Sequence, residues 1–386
     1  MNEPLADTPV IEAINLRKHF VTKRPLFGPP TIVRAVDGVD LRIARGETFS
    51  IVGESGCGKS TLARLLNRLL DPTEGSVVYE GRDIAALPSA EMRGLRRDLQ
   101  FVFQDPFSSL NPRMTVGALI EEPMRSHGIG TPDERRGEVS RLLRRVGLRP
   151  EFADRYPHEF SGGQRQRIGI ARALATGPKV LIGDEPVSAL DVSVQAQVIN
   201  LLEDLKEEFG LTLVVIAHDL AVVRHMSDRV GVMYLGEMVE VGPAEAFFQQ
   251  PLHPYSRALL AAIPAPDPSR RHNLAPPLVG DIPNPTAPPP GCRFHTRCPF
   301  ADARCKAERP ALRPAGEGRQ VACHYFETLP ASAGLPPPPV RAPHVERRFA
   351  LYRALRAQEI PQGAPKGTPS RAIAPQSEQT SRGDQS

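Results

Sequence analysis

Gly53-Glu54-Ser55-Gly56-Cys57-Gly58-Lys59-Ser60 decides the reading of this 386-residue chain. The stretch fits the pattern GxxxxGKS and has the context that pattern needs: Glu47 to Gly53 reads as a short strand, and a helical pattern runs from about Gly58 to Leu70. Glycines at Gly53, Gly56 and Gly58 let backbone N–H groups close around phosphate oxygens at the positive end of the helix. Lys59 reaches the β- and γ-phosphates, the Ser60 hydroxyl ligates Mg²⁺, and Ser55 and Thr61 complete the nucleotide cradle. A glycine-rich turn alone carries no such meaning; the strand before it and the helix after it give it weight.

Outward from this loop the pattern is α/β. Val33 to Ile43 alternates apolar and polar residues as a half-buried strand does, whereas Val180 to Asp184 and Thr212 to Ala217 are continuously apolar and suit strands covered on both faces. A helical pattern from Val192 to Phe209 separates the last two. Val180-Leu181-Ile182-Gly183-Asp184-Glu185 delivers two carboxylates at a strand's carboxyl end, where open α/β sheets bind ligands. There Asp184 holds Mg²⁺ through water and Glu185 activates the attacking water. Such a pair is often structural, and it gains force only beside a phosphate loop. Gly183 is out of place in a strand interior unless something packs closely on it.

The chain is too long for one ordinary domain, and its 40% hydrophobic content supplies a sizeable core. The 41 prolines concentrate after Pro251, so the core domain is expected to span 1–250, with a helical insertion at about 105–165. Within it, Val116 to Pro157 has helical spacing interrupted by Gly128, Gly130 and Pro132. A cysteine-bearing extension is expected at 251–327 and a Pro/Ala-rich, disordered tail at 328–386, apart from a helix at Val345 to Glu359. The net charge of +4, from 48 basic and 44 acidic residues, calls for no nucleic-acid partner. No run approaches the roughly 20 apolar residues that span a bilayer. Met1 to Pro9 is polar and acidic, unlike a secretory signal, so a cytoplasmic location is expected.

Ser161-Gly162-Gly163-Gln164 opens a good helical pattern from Arg165 to Leu174. Read alone it is a helix cap. Its place shortly before the Asp184-Glu185 strand resembles the signature motif of ABC ATPases, and the family's other landmarks follow in order. Gln104 resembles the Q-loop glutamine that senses Mg²⁺ and the membrane partner. Ser188-Ala189-Leu190-Asp191 resembles the D-loop at the dimer interface, His218 the switch histidine at the γ-phosphate, and Phe20 the aromatic that stacks on adenine, a core phenylalanine being the alternative there. The resemblance implies an ABC-type P-loop NTPase core with a β subdomain and the helical insertion. It also implies ATP and Mg²⁺ as ligands and a site completed by the signature of a second cassette.

Within that superfamily, Gln104-Asp105-Pro106-Phe107-Ser108-Ser109-Leu110-Asn111-Pro112-Arg113, the run Asp184 to Gln197, and Pro251-Leu252-His253-Pro254-Tyr255 are similar to the dipeptide/oligopeptide importer ATPases, and to the second ATPase of those systems. Phe160 stands where that family usually has leucine. The resemblance covers about Ile11 to Phe326. It implies a partner cassette in a heterodimer, two transmembrane permease subunits, an extracytoplasmic solute-binding protein, and a place on the cytoplasmic face of the bacterial inner membrane. A soluble ABC ATPase acting in translation or DNA repair is the competing reading; the single cassette and the lack of sustained heptads between Gly58 and Ser161 weigh against it. Intact Glu185 and His218 weigh against a non-catalytic cassette.

Cys57 stands alone, whereas Cys292, Cys298, Cys305 and Cys323 cluster at intervals of 6, 7 and 18 residues. In a reducing compartment this favours ligation over disulfides. The intervals do not match the short knuckles of most structural zinc sites, and spacing leaves an iron–sulfur centre, zinc completed by His295 or His324, and unligated thiols all open. The family resemblance, some of whose ATPases carry a [4Fe–4S] cluster here, favours the first.

Overall fold

The computed structural model describes residues 9–21, 30–188, 190–263 and 280–330. These belong to one compact unit, Met1–Pro336; the second, Pro337–Ser386, lies outside the described residues, as do the expected helix at Val345 to Glu359 and most of the expected tail. The strands are β1 (Pro9–Val21), β2 (Ile32–Ala44), β3 (Thr48–Val52), β4 (Glu74–Tyr79), β5 (Arg82–Asp83), β6 (Leu99–Val102), β7 (Val180–Asp184), β8 (Thr212–Ile216), β9 (Arg229–Tyr234), β10 (Glu237–Pro243), β11 (Arg313–Pro314) and β12 (Gln320–Val321). They form two sheets, β2-β1-β4-β5 and β11-β12-β10-β9-β3-β8-β7-β6.

In the larger sheet β9, β3, β8, β7 and β6 are parallel, and β10 and β12 add antiparallel pairings at one side. All five residues of β3, β7 and β8 are buried, as suits strands covered on both faces. Because side chains alternate across a strand, neighbours feed different cores. Leu181, Leu213 and Val215 join the helices Val116–Ser126, Pro132–Arg145, Gly162–Leu174 and Val192–Phe209. Val180, Ile182, Val214 and Ile216 join the helix Lys59–Leu66 and the four-stranded sheet.

Within residues 105–165 the helices Val116–Ser126 and Pro132–Arg145 have clear start signals. Thr131 and Glu134 form a reciprocal capping box with Pro132 in the first turn, and the Thr115 hydroxyl accepts from the Ala118 amide. The helix after the phosphate loop ends at Leu66, earlier than the expected Leu70. Tertiary contacts stop it: Arg68 takes a left-handed backbone (φ 50°) and donates to the carbonyls of Ile84 (2.6 Å) and Leu87 (3.0 Å).

The C-terminal segment is knitted into this framework. β12 pairs with β10 through Glu240 and Val321, the Ala322 amide donates to the Val239 carbonyl (2.8 Å), and Phe294 is 1% exposed within the main core. Among its described residues the segment has no separate core. It borrows one from the cassette.

Candidate functional site

Four parallel strands bring their carboxyl ends to one edge, and every loop singled out for chemistry within the core except the signature leaves from that edge: 53–60 after β3, Gln104 after β6, Asp184 and Glu185 from β7, and His218 after β8. Gly58 caps the Lys59–Leu66 helix at φ 109°, and a Cβ there would lie 2.0 Å from the Ala35 carbonyl oxygen, so only glycine fits. Lys59 is 5% exposed and donates to the carbonyls of Gly53 (2.8 Å) and Glu54 (3.0 Å). The Ser60 hydroxyl donates to Asp184 Oδ1 at 2.7 Å, and Arg64 lies 3.7 Å from Oδ2. Burial pushes the Asp184 carboxyl above the usual carboxylate range, against the lowering effects of Ser60 and Arg64.

Glu185 has a left-handed backbone (φ 48°), an unusual state for a side-chain-bearing residue and one that collects at functional sites. The turn is over-determined: the Glu185 amide donates to the Ile216 carbonyl (3.1 Å), while the Ser188 amide and hydroxyl donate to the Glu185 carbonyl (3.2 and 3.1 Å). Gln104 Nε2 donates to Glu185 Oε2 at 3.0 Å, and His218 Nδ1 lies 3.5 Å from the same oxygen. Two side chains from neighbouring strand ends thus meet on the carboxylate that β7 delivers. The Gly183 puzzle resolves here, since a Cβ at that position would sit 3.0 Å from Cγ of Pro186, whose ring closes the turn.

The signature residues stand apart from this cluster. Ser161 and Gln164 satisfy one another in a capping box, Ser161 is exposed, and a Cβ on Gly163 would meet Val194 Cγ1 at 2.4 Å. That helix also reaches the segment after Gln104: Arg172 donates to the Ser109 carbonyl (2.6 Å), and the Arg165 guanidinium lies 4.0 Å from the Phe107 ring centroid. Phe20 is 39% exposed at the end of β1, paired with Val33, so the core alternative fails; Lys18 Nζ lies 5.4 Å over its ring. Asp191 caps the Val192–Phe209 helix by position, without a side-chain hydrogen bond.

Cys292, Cys298, Cys305 and Cys323 line one cavity together with His295, His324, Phe294 and Phe300. Burial, with the nearness of the other thiols, pushes Cys292 up to about 12 and Cys298 to about 11. His295 Nδ1 is 2.8 Å from the Cys292 carbonyl and His324 Nε2 3.0 Å from that of Glu308. Among the described residues no group of three or more His, Cys, Asp or Glu is arranged to hold a metal ion. Sequence reading missed two residues that touch the phosphate loop from this region: Tyr255 Oη accepts from the Glu54 amide (2.8 Å), and Arg297 grips the Glu54 carboxylate (2.7 and 2.9 Å). No spacing rule announces them, because their partner is some 200 residues upstream.

Comparison with known proteins agrees with this geometry. Residues 36–188 match the ABC transporter family and 239–305 the C-terminal region of oligopeptide/dipeptide transporters. The chain is 54% identical over 325 residues to a probable peptide ABC transporter ATP-binding protein, y4tS, of Sinorhizobium fredii, covering 84% of this chain and 91% of that one. It is 52% identical over 322 residues to the oligopeptide transport ATP-binding protein AppF of Bacillus subtilis (82% and 97% covered), and 52% over 308 residues to OppF of Escherichia coli (78% and 92%). A solved ATP-binding cassette, dimeric in a post-hydrolysis state with ADP and Pi, is 34% identical with a TM-score of 0.55, covering 61% of this chain and 98% of that one. The chain is therefore an ABC-type ATPase and belongs to the ATP-binding subunits of the oligopeptide/dipeptide branch of ABC transporters.

Proposed function

We propose that this chain is the ATP-hydrolysing subunit of an importer for di- or oligopeptides or a related small solute, docked on the cytoplasmic face of the inner membrane. It works there with a second cassette, two permease chains and an extracytoplasmic solute-binding protein. One observation carries the catalytic part: Lys59, the Ser60–Asp184 pair and the Gln104–Glu185–His218 cluster gather at one strand edge. The names of the relatives support the solute class. No helix among the described residues is long and apolar enough to cross a membrane, so the permease path is the partners' contribution.

In this reading Mg-ATP is the substrate. Lys59 would leave the Gly53 and Glu54 carbonyls for the β- and γ-phosphates, the Ser60 hydroxyl would ligate the magnesium, and Asp184 would hold it through water. Glu185 accepts the proton of the attacking water, which Gln104 and His218 hold in place from either side. Phe20, exposed at the end of β1, offers its face to adenine. Ser161 is exposed at the start of its helix, as a signature serine must be if it serves the nucleotide of a partner cassette. Lys59→Ala in the full chain should lower ATP affinity at least about tenfold, by loss of a charged phosphate contact. Wild-type affinity in a direct binding measurement would overturn the assignment. Uptake of labelled peptide by the reconstituted complex, abolished by the same substitution, tests the transport reading.

The four thiols are proposed to hold a [4Fe–4S] cluster, with zinc as the alternative. What supports this reading is that four cysteines, the ligand type and number such a cluster takes, line one cavity. Bound there, such a centre supplies positive charge that favours thiolates and cross-links residues 292–323. Anaerobically purified protein is expected to be brown, to absorb broadly near 400 nm, about the range of thiolate-to-iron bands, and to lose its colour in Cys298→Ser. Colourless protein with stoichiometric zinc would overturn the cluster.

A further inference from the structure

Glu54 lies inside the phosphate-binding loop, yet all its polar groups are engaged. Its carbonyl accepts from Lys59 Nζ (3.0 Å), its amide donates to Tyr255 Oη (2.8 Å), and its carboxylate takes both Nη atoms of Arg297 (2.7 and 2.9 Å). The two outside partners come from the C-terminal segment. Tyr255, fully buried on the Pro254–Ala261 helix, packs against Tyr234 and Phe294 with ring centroids 4.6 and 5.4 Å apart. Arg297 belongs to the turn bearing Cys292 and Cys298; its amide donates to the Phe294 carbonyl (3.0 Å), and its side chain is 5% exposed.

A carboxylate in this loop is an electrostatic problem, because the loop must receive a polyanion and like charges repel most strongly where water is excluded. Arg297 cancels that charge. The two-pronged grip also fixes the residue whose carbonyl holds Lys59.

We infer that Arg297 is a positioning residue for the nucleotide: it neutralises and fixes Glu54, and through it the turn carrying Cys292 and Cys298 sets the affinity of the phosphate-binding loop for Mg-ATP. The inference rests on the reading of residues 53–60 as that loop, and it has a different test. In the assembled transporter Arg297→Gln should raise the KM for Mg-ATP about tenfold, the effect of one charge uncovered beside the polyphosphate. The kcat at saturating ATP should stay close to wild type. Adding Glu54→Gln removes the uncovered charge, so the double variant should return toward the wild-type KM, a rescue that lost packing or lost folding would not give. Cys298→Ser alters the turn and leaves both charges in place; it should raise KM in the wild-type background and add nothing in Arg297→Gln.

An unchanged KM in Arg297→Gln, or no recovery in the double variant, overturns the inference. Additive effects of Cys298→Ser and Arg297→Gln overturn the link to the cysteine turn. Lys59→Ala keeps the two readings apart: if it binds ATP normally the loop assignment fails, whereas if it loses ATP and Arg297→Gln does not, only the inference fails. Thermal unfolding of each variant identifies any that fail to fold, in which case Arg297→Lys, which keeps the charge and loses the two-pronged grip, should give a smaller rise in KM.

Discussion

Glu185→Gln, assembled with its permease, should bind ATP with wild-type affinity and hydrolyse it at least about 100-fold more slowly, the lower end of what a positioned general base contributes. The substituted amide has nearly the shape of the carboxylate and can still accept from Gln104, but it cannot take a proton. The surrounding geometry should survive, because the left-handed turn at this position is held by backbone bonds to Ile216 and Ser188 that do not involve the side chain. His218 lies 3.5 Å from the carboxylate, and in the proposed mechanism it orients the γ-phosphate and the water rather than serving as base. Binding and chemistry therefore separate. Nucleotide affinity tracks Lys59, turnover tracks Glu185, and single-turnover kinetics on the two variants should show losses in different steps. Hydrolysis by Glu185→Gln at close to the normal rate would mean that another group activates the water. If ATP is a ligand of a closed cassette dimer, as the proposed function implies, closure should also persist in this variant, since removing ATP requires the chemistry that has been lost.

How much of this was legible in the sequence follows from the range of the interactions. Val180–Asp184 and Val192–Phe209 were read to the residue, because continuous apolar runs and helical periodicity are local signals. The loop 53–60, the Asp184-Glu185 pair and His218 were legible because their chemistry demands fixed residue types at strand ends. The early end of the Lys59–Leu66 helix was not, since Arg68 is turned by carbonyls 16 and 19 residues away. Gly183 was noticed, but its cause, the Pro186 ring folding back on it, is a tertiary fact. Spacing groups the four cysteines, and in the structure they line one cavity. What spacing did not announce is that the segment carrying them docks on the cassette through charge.

That docking sets the second large effect: Arg293→Met should destabilise the C-terminal segment by about 3–5 kcal/mol, the usual consequence of removing one partner from a buried ionic group. Arg293 is 7% exposed and bonds to Asp37 of β2, to Glu237 of β10 and to the Leu235 carbonyl, so one guanidinium joins the segment to both sheets. The two carboxylates respond differently. Burial opposes ionisation of Asp37, but Arg293, with hydrogen bonds from Arg293 and His19, outweighs it and holds the group below the usual carboxylate range. For Glu237, desolvation wins and leaves it above that range despite Arg293 and Arg309. By linkage, the stabilisation from Asp37 is present above its unfolded pKa and lost as pH falls through the lowered folded value, whereas that from Glu237 is present in acid and lost as pH rises through the raised one. Substitution by methionine keeps the aliphatic volume and strands both acids, leaving Arg309, 2.9 Å from Glu237, and His19, 3.1 Å from Asp37, to compensate in part. Limited proteolysis should then cut within residues 280–330 well before it cuts the cassette, and the denaturant midpoint should fall. Arg293→Lys should recover little, because a single ammonium cannot serve two carboxylates and a carbonyl in the geometry of the guanidinium fork. If Arg293→Met left both the cleavage pattern and the midpoint unchanged, the segment would be held by β12 and the Phe294 core alone, and the ionic group would count for nothing in its docking.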